Sequence, residues 1–228
     1  DVAPSRGLGD VYKRQACKSL CKNVENLNQD YIKNVVMDLQ DTKNIENIFK
    51  NVIETFPEKR IDILVNNAGI MQGNHIGNTD IESFENVINT NLKGTYFLSQ
   101  IFSNYLIKED IKGNILNISS SSGIRPAVSP YMVSKWGEVG LTLGLAKKLI
   151  PYGIVVNGIA PGPTATKMLN QNTENIIHSS SPAGRYSMPE EIANMAVFLV
   201  SDMGRMVVGD TVYMTGGSAN LTIDDMNY

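Results

Sequence analysis

A chain of 228 residues, 42% of them hydrophobic, is long enough to bury one substantial core. Its net charge of −3 argues against nucleic acid as the main partner, and no run approaches the ~20 apolar residues that would cross a membrane. Two cysteines, Cys17 and Cys21, lie four apart with no histidine near them; they make neither a zinc site nor a disulfide framework, so no metal is expected and the reduced cytoplasm is the expected compartment.

In chain order, Lys33 to Met37 reads as a short buried strand ending at Asp38. Asn44 to Phe56 has helical spacing, with Ile45, Ile48, Phe49, Val52 and Ile53 on one face. Ile61 to Val65 is the next strand. Thr79-Asp80-Ile81-Glu82 has the pattern of a capping box and opens a long helix through Asn91 to about Tyr105. Asn114 to Ile118 is a strand. Ser129 as N-cap and Pro130 in the first turn start a helix that Gly153 closes. Gly153 to Ile159 is a strand, Glu190 to Val200 a helix and Thr211 to Thr215 a last strand. Strands alternating with helices predict a parallel sheet covered on both faces, with ligands beyond the carboxyl ends of the strands.

The chemistry-bearing residues fall at those ends. Tyr131 and Lys135 are four apart in one helix and share a face. A cation within about 4–6 Å lowers a phenol of pKa ~10 by roughly 1–3 units, which suits proton exchange at a carbonyl or alcohol oxygen. The first of the motif-bearing strands runs into Asn66-Asn67-Ala68-Gly69, the second into Ser119-Ser120-Ser121-Ser122-Gly123, and the third into Ala160-Pro161-Gly162-Pro163 with Thr166 beyond. Asn91-Leu92-Lys93-Gly94 lies between the first two.

This order of motifs (N-N-A-G, N-x-x-G, serine, Y-x-x-x-K, P-G-x-x-x-T) resembles the short-chain dehydrogenase/reductase family from about Val35 to about Gly217, and within it the branch of the 3-oxoacyl-carrier-protein reductases. The resemblance implies an α/β fold, a Rossmann-type doubly wound parallel sheet. It also implies hydride transfer between NAD or NADP and a carbonyl or secondary alcohol of 3-oxoacyl thioester, sugar or polyol type. By the same resemblance Tyr131 is the general acid/base, Lys135 its partner and a holder of the nicotinamide ribose, and Asn91 a support for a water-mediated proton relay. Ser120 is the hydroxyl on the substrate oxygen, with Ser119 and Ser121 as alternatives. Asn66, Ala68 and Gly69 form the turn beneath the cofactor, and Asp38 the acid at its adenine. Pro161, Gly162 and Thr166 meet the nicotinamide. Residues 167–187, scarce in bulky aromatics, read as a lid over a polar substrate. The family is usually a homodimer or homotetramer, and no nucleic acid or membrane partner is expected. The alternatives are a non-catalytic nucleotide-binding or sensing protein on the same fold, or an inactive truncated remnant.

The beginning does not fit that pattern. Val2 to Gly9 faintly resembles the family's T-G-x-x-x-G-x-G turn, with Val2 and Ala3 in place of the Thr and first Gly, and too few residues follow for a helix and second strand before Val35. Asp10-Val11-Tyr12-Lys13-Arg14-Gln15 is the translation of GAT-GTG-TAT-AAG-AGA-CAG, which looks like the end of a transposon used for sequencing libraries. Residues 1–15 are therefore expected to be non-native and residues 16–228 a single Rossmann domain lacking its first strand–helix–strand unit. The strand whose last residue would choose between NAD and NADP is then absent. The chain as written is expected to bind dinucleotide poorly, to leave the Ile61 strand with an apolar edge, and to aggregate.

Overall fold

Four short runs rich in Val, Ile and Leu become parallel strands: β1 (Ile63–Asn66), β2 (Asn114–Ile118), β3 (Val155–Pro161) and β4 (Thr211–Met214), side by side in that order. The computed structural model describes residues 33–166 and 176–218, and the chain divides into two compact units, Asp1–Ile61 and Asp62–Tyr228. The expected boundary after Gln15 lies outside the described residues.

In the first unit, helix α1 (Ile45–Glu54) buries Ile45, Phe49 and Ile53, the stripe read from its spacing. The expected strand over Lys33–Met37 does not form: these residues belong to no sheet ladder among the described residues, and Val35 and Val36 are exposed. An apolar run becomes a strand only when neighbours take up its backbone hydrogen bonds, and no described strand does so here.

In the second unit the register sets Leu64 beside Ile115, Ile115 beside Val156 and Ile159 beside Val212. Alternation then sends side chains to opposite faces. Leu116 and Ile159 pack with Leu199 of helix α5 (Pro189–Val200) on one face, whereas Asn117 reaches Thr142 of helix α4 (Pro130–Leu149) on the other. The sheet is covered on both faces, as the uninterrupted burial from Val155 to Ala160 requires. Among the described residues β1 has a neighbour on one side only, and Val65 is 47% exposed.

Between β1 and β2 the chain is helical from α2 (Ile81–Val87) to α3 (Thr95–Lys108), joined by a π-helical stretch, Ile88–Gly94. Its N-cap is Asp80, whose Oδ1 accepts the Ser83 N–H at 2.8 Å, while the Thr79 hydroxyl turns back to the Asn74 carbonyl. The capping box expected from Thr79 thus does not form, and the N-cap lies one residue later, an Asp being at least as good a cap as a Thr. Helix α4 starts as read: Ser129 Oγ accepts the Met132 N–H at 3.3 Å with Pro130 in the first turn. It ends through a 3-10 turn at Gly153, whose φ of 71° is a left-handed conformation that glycine adopts without penalty.

Candidate active site

The loops after β1, β2 and β3 and the start of α4 meet at the carboxyl end of the sheet. Tyr131, on the first turn of α4, is half-buried, and its hydroxyl hydrogen-bonds no described residue. One turn on, the Lys135 ammonium lies 5.6 Å from the centre of the Tyr131 ring. Lys135 is only 4% exposed, so its charge acts in a poorly hydrated setting. Its Nζ donates to the Ile118 carbonyl at 3.0 Å and to the two Glu138 carboxylate oxygens at 3.0 and 2.9 Å. Burial raises the Glu138 carboxyl to about 7, and the neighbouring Lys135 ammonium opposes the rise.

The serine turn separates its members by their partners. Ser119 is buried and its hydroxyl donates to the Lys135 carbonyl at 2.9 Å. Ser120 is half-buried; its Oγ accepts the Ser122 N–H at 3.1 Å, and its proton goes to no described residue. Ser121 is buried. Of the three candidates Ser119, Ser120 and Ser121, only Ser120 therefore combines exposure with a hydroxyl proton that goes to no described residue. Gly123 lets this turn lie on α4, since a Cβ there would stand 2.9 Å from the Lys135 carbonyl oxygen.

Asn91 sits fully buried in the π-helical stretch, a distortion often found at functional sites. Its Oδ1 accepts the Ile70 N–H at 2.9 Å, and its Nδ2 donates to the Ile70 carbonyl at 3.0 Å and to Ser134 Oγ at 3.1 Å. The side chain thus ties the loop after β1 to α4 and contacts Lys135 only through what it positions. Gly69 lies between the two: a Cβ there would be 3.7 Å from both Asn91 Oδ1 and Lys135 Nζ. Asn66 is turned into the sheet, donating to Ser99 Oγ at 2.9 Å and to Asn117 Oδ1 at 2.8 Å. Ala68, by contrast, is exposed on the loop.

At the end of β3, Pro161 pairs with Met214, and a Cβ on Gly162 would stand 2.9 Å from Thr215 Cα, so this crossing needs glycine. Thr166 is half-buried, with its hydroxyl 3.4 Å from the Thr164 carbonyl. Asp38 belongs to the first unit; its Oδ1 accepts the Gln40 N–H at 2.9 Å, the local bond of a turn-forming aspartate. Of the expected lid, residues 167–175 lie outside the described residues, and the rest is pinned. Ile177 and Arg185 pair antiparallel, Ala183 N–H reaches the Gly216 carbonyl at 3.0 Å, and the Tyr186 ring lies 4.5 Å from that of His178. Arg185 forks onto Glu191 at 2.8 and 2.7 Å, and this pair with the Met188 N–H holds the Glu191 carboxyl down at about 2.

The structure thus gathers Asn91, Ser120, Tyr131, Lys135 and Gly69 at one end of the sheet and places Pro161, Gly162 and Thr166 on the loop after its third strand. Glu138 escaped the sequence reading, although Tyr131, Lys135 and Glu138 form one stripe at helical spacing. The space above Gly69 suits a bound group: any side chain there would fill the gap beside Lys135 and Asn91. Among the described residues no group of three His, Cys, Asp or Glu side chains could hold a metal, and no helix is long and apolar enough to cross a membrane.

Comparison with known proteins agrees with this geometry. Residues 8–219 match the family model of the enoyl-(acyl carrier protein) reductases. The chain is 36% identical over 214 residues to the 3-oxoacyl-[acyl-carrier-protein] reductase of Thermotoga maritima, covering 92% of this chain and 85% of that one. Among solved structures, a gluconate 5-dehydrogenase from Burkholderia cenocepacia in complex with NADP and tartrate superposes with a TM-score of 0.74 at 28% identity, over 82% of this chain and 75% of that one. A 3-ketoacyl-(acyl-carrier-protein) reductase from Brucella melitensis complexed with NADH gives 0.71 at 26% identity, over 81% and 77%. The chain belongs to the short-chain dehydrogenase/reductase family of NAD(P)-dependent oxidoreductases acting on CH–OH groups, in the branch of the 3-oxoacyl-[acyl-carrier-protein] reductases.

Proposed function

We propose that this protein reduces a carbonyl, or oxidises the corresponding secondary alcohol, on a small 3-oxoacyl thioester, sugar or polyol, with Tyr131 as the proton donor or acceptor. The observation that carries the reading is the buried Lys135 ammonium 5.6 Å from the Tyr131 ring centre, beside a phenol hydroxyl that bonds no described residue. A nicotinamide held there would supply or accept the hydride. Tyr131 gives its proton to the carbonyl oxygen as charge develops there, a step worth typically ~10²–10⁴ in rate when well positioned. Ser120 keeps its proton and hydrogen-bonds the same oxygen through its hydroxyl. Lys135 places its positive charge beside the phenol and offers a cationic contact to the ribose hydroxyls. Asn91 fixes the loop carrying Gly69, and Pro161, Gly162 and Thr166 form the wall toward the nicotinamide.

NAD and NADP both remain candidates for this chain, since the Burkholderia and Brucella relatives carry one each. We further read residues 16–228 as one short-chain-type Rossmann domain, a range most of which the family match over residues 8–219 covers although that match starts before it, and the protein as a cytoplasmic homodimer or homotetramer. A sensor on the same fold would have no use for Ser120, Tyr131 and Lys135 at one sheet end. The test follows NADH and NADPH oxidation by the protein against acetoacetyl thioesters and keto-sugars, and NAD and NADP reduction against the corresponding alcohols. Turnover of one class with one nucleotide is expected. Saturable nucleotide binding with no turnover across the panel would instead favour the sensing role.

A further inference from the structure

Glu138 is a carboxylate where a helix face normally buries an apolar side chain. It is 3% exposed, three residues beyond Lys135 on the same stripe of α4, and both of its oxygens accept from Lys135 Nζ. No second donor serves those oxygens among the described residues, so the carboxylate is dedicated to that one ammonium. Stability alone is a poor account of it, because a buried ion pair is often no better than well-packed apolar residues of the same volume. The ammonium in turn spends its hydrogens on Glu138 and the Ile118 carbonyl, on the side away from solvent.

We propose that Glu138 is a positioning residue for Lys135: it anchors and counter-charges the ammonium beside Tyr131, so that proton transfer at the phenol is governed by three groups, Tyr131, Lys135 and Glu138. The assignment rests on reading Tyr131 as the acid/base. With Glu138 ionised, its charge offsets the field of Lys135 at the phenol. With Glu138 protonated, Lys135 acts with its full charge. Because burial lifts the Glu138 carboxyl to about 7, the exchange between these states falls near neutral pH. Among the described residues no other ionisable group is placed to do this. On the elements packed against α4, Lys93 of the π-helical stretch, Glu82 and Glu85 of α2, Arg125 after the serine turn and Tyr152 of the closing 3-10 turn are all exposed; β2 and β3 carry none.

The test reads the phenol directly, on cofactor-free protein labelled with 3-fluorotyrosine, the Tyr131 resonance being the one lost in Tyr131→Phe. In the wild type that ¹⁹F resonance is expected to move near pH 7 as well as at its own ionisation. In Glu138→Gln the movement near pH 7 disappears and the phenol ionises at lower pH, its ionisation constant raised at least about tenfold, which is 1.4 kcal/mol. A movement near pH 7 that persists in Glu138→Gln, or a phenol that titrates alike in both proteins, overturns the proposal. Should Glu138→Gln not fold, His75→Gln/His178→Gln in the wild-type background decides. The movement survives there if Glu138 causes it and vanishes if a histidine does. Because no turnover is involved, a Tyr131→Phe enzyme that still works would remove the catalytic reading while leaving this coupling measurable.

Discussion

Ser119 and Ser120 are chemically identical neighbours, and their hydrogen bonds give them different work. Ser119 is bonded into the packing between the serine turn and α4, so Ser119→Ala should cost stability, about 1 kcal/mol by denaturant titration, through loss of its hydrogen bond to the Lys135 carbonyl. Ser120 holds a free proton, so Ser120→Ala should leave stability within about 0.5 kcal/mol and lower kcat, by roughly 10²-fold or more if the hydroxyl stabilises the developing oxyanion. Glu138 makes a separate prediction. The folded chain binds its proton more tightly than the unfolded chain does. Its contribution is therefore full below pH 4.5 and is lost as the pH rises through about 7. The size is on the order of 3 kcal/mol, and Glu138→Gln should flatten the stability profile across that window in urea titrations at stepped pH. The sequence showed Tyr131, Lys135, Asn91 and the serine run because each belongs to a spaced motif. Glu138 was hidden because a charged residue on a helix is ordinarily solvated, and only the packing of α4 on the sheet shows that this one is not.

At the scale of elements, a chain of buried polar groups stitches the layers together. Asn66 at the end of β1 donates to Ser99 of α3 and to Asn117 of β2; Asn117 donates to Thr142 of α4 at 2.9 Å, and Thr142 donates to the Glu138 carbonyl at 2.8 Å. Such a network is stabilising only when complete. Asn117→Leu takes one acceptor from the Asn66 amide and the donor from Thr142 Oγ1, and is expected to cost about 2–3 kcal/mol, lowering Tm by roughly 4–10 °C in a calorimetric scan. This element pattern was largely legible in advance. Ser129-Pro130 and Gly153 bound α4 because an N-cap hydroxyl, a fixed φ and a left-handed residue each have local causes. Asn114–Ile118 is a strand as read. The π-helical stretch around Asn91 could not be read, since its cause is the contact of one amide with Ile70 and Ser134 rather than any local preference. Lys33–Met37 is not a strand because apolar content marks only a candidate, while a ladder also needs a neighbouring strand, and none of the four described strands pairs with it.

At the scale of the molecule, α3 and α4 each expose bulky apolar side chains. Tyr96 and Phe97 of α3 and Val133 and Leu143 of α4 are exposed, Leu143 by 63%, and nothing lies within 4 Å of where a Cβ would sit on Gly140 or Gly144. Apolar surface of this kind is normally covered, which supports the homodimer or homotetramer proposed above. Leu143→Glu should then move the protein from its oligomeric mass toward that of one chain in light scattering coupled to size exclusion, with its circular dichroism unchanged. An unchanged mass would place the interface elsewhere. The central claim is the chemistry at Tyr131, and one comparison tests it most directly: the kcat of the wild type and of Tyr131→Phe in nucleotide-dependent reduction of an accepted carbonyl substrate, with nucleotide binding measured on both. The account predicts that binding is retained while kcat falls by about 10²–10⁴-fold. A Tyr131→Phe enzyme that turns over like the wild type would contradict it.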